Sequence, residues 1–355
     1  MLFALILAGG KGTRLYPLSR SNKPKQFLKI INNKSFIRNT IERITPLIGI
    51  DNIYIITNKD YKNLIIEDIP EMNEKNIITE PDNKETATCI AYAALKFSKM
   101  DKDAQMVVLP SDHFIDNNEL FLDTISCGIE ICERKRGLVT IGVPPLRPET
   151  GYGYIQFGEK ISSKIPAFRV DRFTEKPNIE IVKDFISRDN FLWNTGIFIW
   201  RADTYLRELE KYLPKMYKCL IKIYQSIGEE DEEEVIKEQY SKIDGISVDF
   251  GILQKTRKAY VIRGGFKWDD IGSFSSISKF LNFHNSNSYI GNIYLNESEN
   301  CSFIGEKKLI IGFGLKDLVV VDTGDVLLVM DKNREQEVKH LINNLKNNEE
   351  FKKYL

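Results

Sequence analysis

The sequence predicts an α/β protein, a mostly parallel mixed sheet covered by helices, followed by a small β-rich domain. Three observations predict it. Short β-branched apolar runs alternate with longer amphipathic stretches through the first half of the chain. A glycine-rich, basic segment follows directly on the first of those runs. After about residue 283 the composition changes to Asn- and Ser-containing turns between short strands. The expected division is therefore a larger domain over 1–283 and a β-rich accessory domain over 284–355.

In order, residues 3–7, 51–57, 76–79, 105–109 and 137–142 read as strands. Between them, 34–47, 61–69, 86–100 and 118–134 carry the spacing of about 3.6 residues that marks helices. Strand and helix in alternation imply parallel strands with both faces covered, and ligands then lie beyond the C-terminal strand ends. Residues 151–175 are irregular and aromatic, consistent with an inserted antiparallel segment. A strand over 191–199, a helix over 202–213 and a charged helical region over 217–239 follow, with the acidic run 229–234 read as a solvated helix start or loop. In the tail, 288–295, 302–305, 309–312, 318–322 and 326–330 read as strands, and 334–345 as a basic amphipathic helix.

Composition narrows the function classes. The chain has 355 residues and is 42% apolar, ample for a substantial core. Fifty basic and fifty acidic side chains cancel, which removes a global electrostatic reason to expect nucleic acid or an acidic membrane as partner. Five cysteines without a CxxC pair fit a reducing compartment, and the cytoplasm is the expected location. The apolar run 2–8 is only strand-sized and lacks preceding positive charges, so it does not read as a signal peptide. Nor does any stretch approach the roughly 20 apolar residues a membrane span requires.

The strand over 3–7 runs into Ala8-Gly9-Gly10-Lys11-Gly12-Thr13-Arg14. Glycines at three of four positions let backbone N–H groups approach a polyphosphate, and Lys11, Arg14, Arg20, Lys23 and Lys25 add positive charge. The spacing is neither GxxxxGK[ST] nor GxGxxG. Taken alone it is a polyphosphate-binding turn or a tight turn with solvated bases.

The segment LILAGGKGTRLYPLSRSNKPKQFLKI closely resembles the N-terminal motif of the sugar nucleotidylyltransferases, and PLSR followed by PKQF resembles the mannose-1-phosphate guanylyltransferase, or GDP-mannose pyrophosphorylase, branch. LPSDHFI, PETGYGYI, FTEKP, FLWNTGIFIW, SVDFGIL and WDDIGSF match in order along almost the whole chain. The resemblance implies a Rossmann-like nucleotidyltransferase domain, and GLKDLVVVDTGDVLLVMDKNREQEVKHL looks like the β-rich, β-helix-like linker region of this branch. Bifunctional relatives continue into a phosphomannose isomerase domain. With the sequence ending at Leu355, that second activity is expected to be absent.

The reaction implied is in-line attack of a sugar 1-phosphate oxygen on the α-phosphorus of a nucleoside triphosphate. Substrates would be GTP and α-D-mannose 1-phosphate, products GDP-mannose and pyrophosphate. Both reacting groups are anionic, so the chemistry asks for charge neutralisation and alignment. By resemblance, Arg14 holds the outer phosphates and Lys25 reaches the α-phosphate. Nucleotide contacts are implied at Leu7, Ala8, Gly9, Gly10, Lys11, Gly12, Thr13, Glu85, Thr86, Ala87, Pro110 and Ser111, with Lys11 the weaker of the cations. Asp112, after the 105–109 strand, and Asp270, in WDDIG, are implied ligands of Mg2+, whose oxygen bonds are about 2.1 Å. Asp269 reads as a structural acceptor, and His113 as a packing or orienting residue. Sugar and sugar-phosphate contacts are implied at Gly151, Tyr152, Glu175, Lys176, Asn194 and Asp249.

The sequence departs from the family pattern at base recognition. Glu85 stands where Asn is expected, and Lys23 replaces an aromatic before PKQF. A Glu85 carboxylate can accept from guanine N1–H and the 2-amino group, or cap the helix that follows. Another sugar phosphate or base is the first alternative. A catalytically silent regulatory subunit that binds nucleotide sugar is the second, opposed by the presence of Arg14, Lys25, Asp112 and Asp270. The β-rich tail either mediates self-association, as in a homodimer, or closes over the active site.

Overall fold

A computed structural model describes residues 1–10 and 12–355. The chain divides into two compact units. One comprises Met1–Gly9, Thr40–Ser111 and Ile115–Trp268; the other comprises Gly10–Asn39, Asp112–Phe114 and Asp269–Leu355. The strands up to this second boundary are β1 (Leu2–Leu7), β2 (Ile53–Asn58), β3 (Ile77–Glu80), β4 (Gln105–Pro110), β5 (Phe114–Ile115), β6 (Leu138–Val143), β7 (Tyr154–Ile161), β8 (Ala167–Thr174), β9 (Phe191–Arg201), β10 (Ala259–Arg263) and β11 (Trp268–Asp269).

Among the described residues the first unit holds a nine-stranded sheet in the order β3-β2-β1-β4-β9-β6-β10-β8-β7. The run β3-β2-β1-β4 is parallel, as the strand-helix alternation predicts. β9 enters antiparallel to both β4 and β6, and β7 and β8 form an antiparallel hairpin, so the sheet is mixed. β1 is a continuous apolar run because it is buried on both faces, with Phe3, Ala4, Leu5 and Ile6 all in the core. The strand β10 is not among the sequence-predicted elements; its five residues are short, although Gly264-Gly265 directly follow it.

Helices α1 (Phe36–Ile44), α2 (Lys62–Asp68), α3 (Glu85–Met100) and α4 (Asn118–Lys135) follow the predicted pattern. In α3 alanines at 87, 91, 93 and 94 are fully buried and let the helix lie close on its neighbours, while Phe97 stacks on Phe3 at 4.5 Å. Helices α5 (Ile179–Ile186), α6 (Ala202–Tyr212), α7 (Pro214–Ser226) and α8 (Glu232–Ser241) complete the unit. The charged helical region expected over 217–239 is thus two helices, with the acidic run 229–234 spanning the break and the start of the second. Glu232, Glu233 and Glu234 occupy the first turn of α8, where the helix dipole favours negative charge. Among the described residues no helix is long and apolar enough to cross a membrane.

The second unit is built on α9 (Phe274–Ser278), β12 (Asn282–His284), β13 (Asn287–Ile290), β14 (Ile293–Asn296), β15 (Ser302–Gly305), β16 (Ile310–Phe313), β17 (Leu318–Asp322), β18 (Leu327–Asp331) and α10 (Val338–Lys346). β13, β15 and β17 stack in parallel, as do β14 and β16, which gives successive short rungs of a β-helix. The predicted strand 288–295 breaks into β13 and β14 at Gly291, whose φ of 108° turns the corner between rungs. Residues 10–39 belong to this unit through their apolar side chains. Leu15, Leu28 and Phe36 share one core with Ile271, Phe274, Ile277, Ile304, Val319, Val321 and Leu328.

Candidate functional site

Arg14, Arg20, Lys23 and Lys25 of the phosphate loop lie in the second unit, and the structure gives them different tasks. Pro24 leads into a 3-10 turn over Lys25–Phe27 that buries the Lys25 stem. Its ammonium meets Asp112 Oδ2 at 2.5 Å and donates to the Asp270 carbonyl at 2.5 Å. Lys25 thereby joins the two predicted metal carboxylate residues. Burial would push the Asp112 carboxyl up, but the Lys25 charge, reinforced by His113, holds it below the usual carboxylate range. His113 Nε2 lies 4.0 Å from Asp112 Oδ1. The Asp270 carboxylate accepts the Gly272 N–H at 3.0 Å. Its neighbour Asp269 is buried, accepts the Ile271 N–H at 2.9 Å and pairs with Lys279 at 2.6 Å.

Gly12 has a left-handed φ of 61°, and a Cβ there would collide with the Lys25 Cβ. Its lack of a side chain therefore serves the seating of Lys25. A Cβ on Gly10, by contrast, would meet no protein atom within 4 Å. Thr13 opens the short 3-10 turn Thr13–Leu15, which leaves the Arg14 side chain exposed. Among the described residues no ion pair joins Arg14 to a carboxylate. Lys11 lies outside the described residues. Arg20, counted from sequence among the phosphate-loop cations, is committed elsewhere: it grips Asp325 with two short hydrogen bonds and Thr323 with a third.

In the first unit, Leu7 and Pro110 are register partners at the ends of β1 and β4. Ser111 donates its N–H to the Leu7 carbonyl at 3.2 Å, and the Ala8 N–H reaches the Ile56 carbonyl at 2.8 Å. Parallel pairing thus brings Leu7, Ala8, Pro110 and Ser111 together, followed in the chain by Gly9. Glu85–Ala87 is fixed by another partner. The Ala87 N–H donates to the Ile246 carbonyl and the Thr86 hydroxyl accepts the Val248 N–H at 2.9 Å. The helix α3 begins at Glu85 itself, with a left-handed φ of 63° and no side-chain cap, so the exposed Glu85 carboxylate does not serve as its N-cap.

The predicted sugar-contacting residues assemble around β9. Asn194 Nδ2 donates to Asp249 Oδ1 at 3.0 Å, while Asn194 Oδ1 accepts from the buried Thr140 hydroxyl at 3.0 Å. The backbone N–H of Asn194 donates to the Gly153 carbonyl at 2.8 Å. A Cβ on Gly153 would stand 2.5 Å from Glu175 Oε2, so this glycine is the space into which that carboxylate fits. Lys176, at φ 46°, pairs with Glu175 at 2.8 Å. Tyr152 is buried edge-on against Trp193 and Trp268, with ring centroids 5.2 and 5.1 Å away. The Gly151 N–H donates to Glu149 Oε1 at 3.1 Å. Burial first, and the Glu175 charge second, push the Asp249 carboxyl up to about 7.

Several residues in these clusters have no counterpart among the sequence-predicted ones. Glu149, Gly153 and Thr140 are examples; the first two lie inside PETGYGYI, but Thr140 sits in an apolar strand that carries no polar signal. Glu80, at the end of β3, is another: burial pushes its carboxyl up to about 8, against the Tyr240 hydroxyl that donates to it at 3.3 Å.

Comparison with known proteins agrees with this architecture. Residues 3–287 match the family described as nucleotidyl transferase, and residues 291–345 match the "MannoseP isomerase/GMP-like beta-helix domain". A mannose-1-phosphate guanylyltransferase of Salmonella montevideo is 36% identical, covering 98% of this chain and 74% of that protein. One of Klebsiella pneumoniae is 35% identical, covering 100% and 76%. A crystal structure from Thermus thermophilus, described as mannose-1-phosphate geranyltransferase, superposes with a TM-score of 0.87 at 27% identity over 97% of this chain and 99% of that one. The chain belongs to the mannose-1-phosphate guanylyltransferase family of nucleotidyl transferases.

Proposed function

We propose that the protein transfers GMP from GTP to α-D-mannose 1-phosphate, giving GDP-mannose and pyrophosphate. The observation that carries this reading is Lys25, its ammonium buried between the Asp112 carboxylate and the Asp270 carbonyl, in a segment whose Arg14 guanidinium stays exposed. One fixed and one exposed cation suit a reaction between two anions. Arg14 neutralises the outer phosphates, and Lys25 offsets charge at the α-phosphate as the sugar phosphate oxygen attacks. The mannose hydroxyls are read by Glu175 and Asn194, with Lys176 toward the sugar phosphate and Asp249 orienting the Asn194 amide.

Asp112 and Asp270 supply hard oxygen donors, and the ionised state favoured at Asp112 suits Mg2+. Among the described residues no group of three or more His, Cys, Asp and Glu side chains gathers as a metal cluster, so phosphate oxygens and water would complete its shell. When bound there, Mg2+ would neutralise phosphate charge. A cytoplasmic location is supported by five free cysteines. A homodimer is supported by the exposed Tyr294, Ile311 and Phe313 on β14 and β16, and sedimentation velocity tests it.

Pyrophosphate release measured over a panel of nucleoside triphosphates and sugar 1-phosphates tests the function. GTP with mannose 1-phosphate is expected to give the highest kcat/KM, and indifference to GTP would overturn the assignment.

A further inference from the structure

The Arg20 side chain in the PLSR motif is held by residues about three hundred positions away in sequence. Its Nη1 and Nη2 donate to the two Asp325 oxygens at 2.6 and 2.7 Å, Nη2 also donates to Thr323 Oγ1 at 2.7 Å, and Nε donates to the Pro17 carbonyl at 3.1 Å. Thr323 in turn donates to Asp325 Oδ1 at 3.2 Å, and its backbone N–H closes the turn on the Val326 carbonyl. This is a bidentate guanidinium–carboxylate pair with a third partner, the geometry in which arginine is most directional. The Arg20 side chain is 13% exposed and the Asp325 side chain 51%, so the guanidinium is held from a half-buried seat, with the Thr323 bond the more shielded of its contacts.

Backbone hydrogen bonds carry that grip towards Lys25. Arg20 and Lys23 exchange both of their N–H and carbonyl groups, at 3.0 and 3.1 Å, closing the turn that precedes Pro24. The Ser21 N–H is taken by the Leu355 carbonyl at 3.0 Å. On the other side of the motif, Tyr16 packs against Val338 and Ile342 of α10. The segment that ends in Lys25 is therefore tied at its apolar start and at its polar turn to the β17–β18 connection and the chain's last helix.

We propose that Asp325, with Thr323, is a positioning residue for the guanylyl transfer: by fixing Arg20 it sets the 20–23 turn and, through it, where the Lys25 ammonium stands. The proposal rests on the assignment of Lys25 to the reacting phosphates. It gives the β-rich region a task in the chemistry itself and takes Arg20 out of the phosphate-binding set. The charge balance agrees, since the Arg20 guanidinium holds the Asp325 carboxyl well below its usual range.

The test is a set of kinetic cycles on the full chain. Displacing an aligning group by about 1 Å costs on the order of 100-fold in rate. Asp325→Ala is accordingly expected to lower kcat roughly 10- to 100-fold while both KM values stay within about 2-fold. Arg20→Met should give the same loss, and the double variant no more than either single one. In a Lys25→Ala background, Asp325→Ala should cost nothing further. A full additional loss there, or an unchanged kcat in Asp325→Ala, would overturn the proposal. Thr323→Val and Asp325→Asn keep the shape of the turn and serve if Asp325→Ala melts early. Amide exchange of residues 19–25 gives a readout that needs no substrate: it should accelerate in Asp325→Ala, and unchanged exchange would overturn the clamp. Wild-type protein inactive with every sugar phosphate would instead refute the functional reading and leave the exchange result to stand.

Discussion

Replacing Asp249 by Asn should make the first unit more stable at alkaline pH and leave it nearly unchanged at acidic pH. The Asp249 carboxyl is pushed from 3.8 to about 7, by burial first and by the neighbouring Glu175 charge second, against Lys176 and the Asn194 amide. The folded state therefore keeps a proton that the unfolded chain has already released over the window from about pH 4 to pH 7. A raised folded pKa contributes stability that is complete below the unfolded value and is lost as pH rises through the folded one. About three pH units at roughly 1.4 kcal/mol each corresponds to a penalty on the order of 4 kcal/mol for the ionised folded form. Sharing of the charge with Glu175 and solvent reduces what is realised to a few kcal/mol.

The amide introduced by Asp249→Asn would retain an oxygen for the Asn194 side chain and would not ionise. Urea unfolding of wild type and Asp249→Asn at several pH values between about 4.5 and 8.5 measures the difference. All three tryptophans, Trp193, Trp200 and Trp268, belong to the first unit, so their fluorescence reports on the part of the chain that holds Asp249. The stability difference in favour of the amide should grow from near zero at about pH 4.5 to about 2–4 kcal/mol at about pH 8.5. A difference independent of pH would refute the reasoning, because the gain could then not come from proton release.

Lys25→Met should reduce kcat by about two to three orders of magnitude, as expected for the loss of a charge that stabilises the transferring phosphate, with circular dichroism and thermal melting confirming the fold. Asp112→Asn should raise the Mg2+ concentration needed for half-maximal turnover at least about 10-fold, measured by metal titration of pyrophosphate release; an unchanged titration would remove Asp112 from the metal site. Gly153→Ala places a methyl carbon 2.5 Å from Glu175 Oε2 and must shift that carboxylate. The expected result is a roughly 10-fold higher KM for mannose 1-phosphate with KM for GTP unchanged, read from initial rates.

The elements legible in the sequence are those whose pattern is local. β1 and β4 are largely apolar runs buried over their four central residues, and helices such as α1 and α3 between them keep the helical period, so their existence and order follow from the chain alone. Motif reading marks out Lys25 and Asp112 but not their contact, since an ion pair between residues so distant in sequence leaves no mark in a linear pattern. Arg20 shows the same limit from the other side. Its charge in the segment that follows three glycines suggests a phosphate ligand, and only the fold reveals Asp325 and Thr323 around it. β10 is hidden because five residues between loops carry little periodicity, and its place beside β6 is decided by long-range pairing. Asp249 is matched by family pattern, whereas its perturbed carboxyl depends on burial and on Glu175, both tertiary.

Backbone strain supplies a signal that sequence patterns do not. Glu85, Lys176 and Ile271 have φ values of 63°, 46° and 49°, a region that residues other than glycine enter at a cost of about 1–3 kcal/mol. Each is a candidate ligand residue or the immediate neighbour of one. Ile271 is the most informative, because a β-branched side chain is especially disfavoured there. It follows Asp270, whose carbonyl takes the Lys25 ammonium, and it donates its own N–H to Asp269. Its side chain is fully buried among Leu15, Phe274 and Ile277, so hydrophobic burial offsets the strain and locks the turn. Glycine at this position would relieve the dihedral cost but release the anchor. The sequence W-D-D-I-G therefore sets side by side Asp270, whose carbonyl takes the Lys25 ammonium, and Ile271, whose buried side chain holds the backbone in its left-handed conformation.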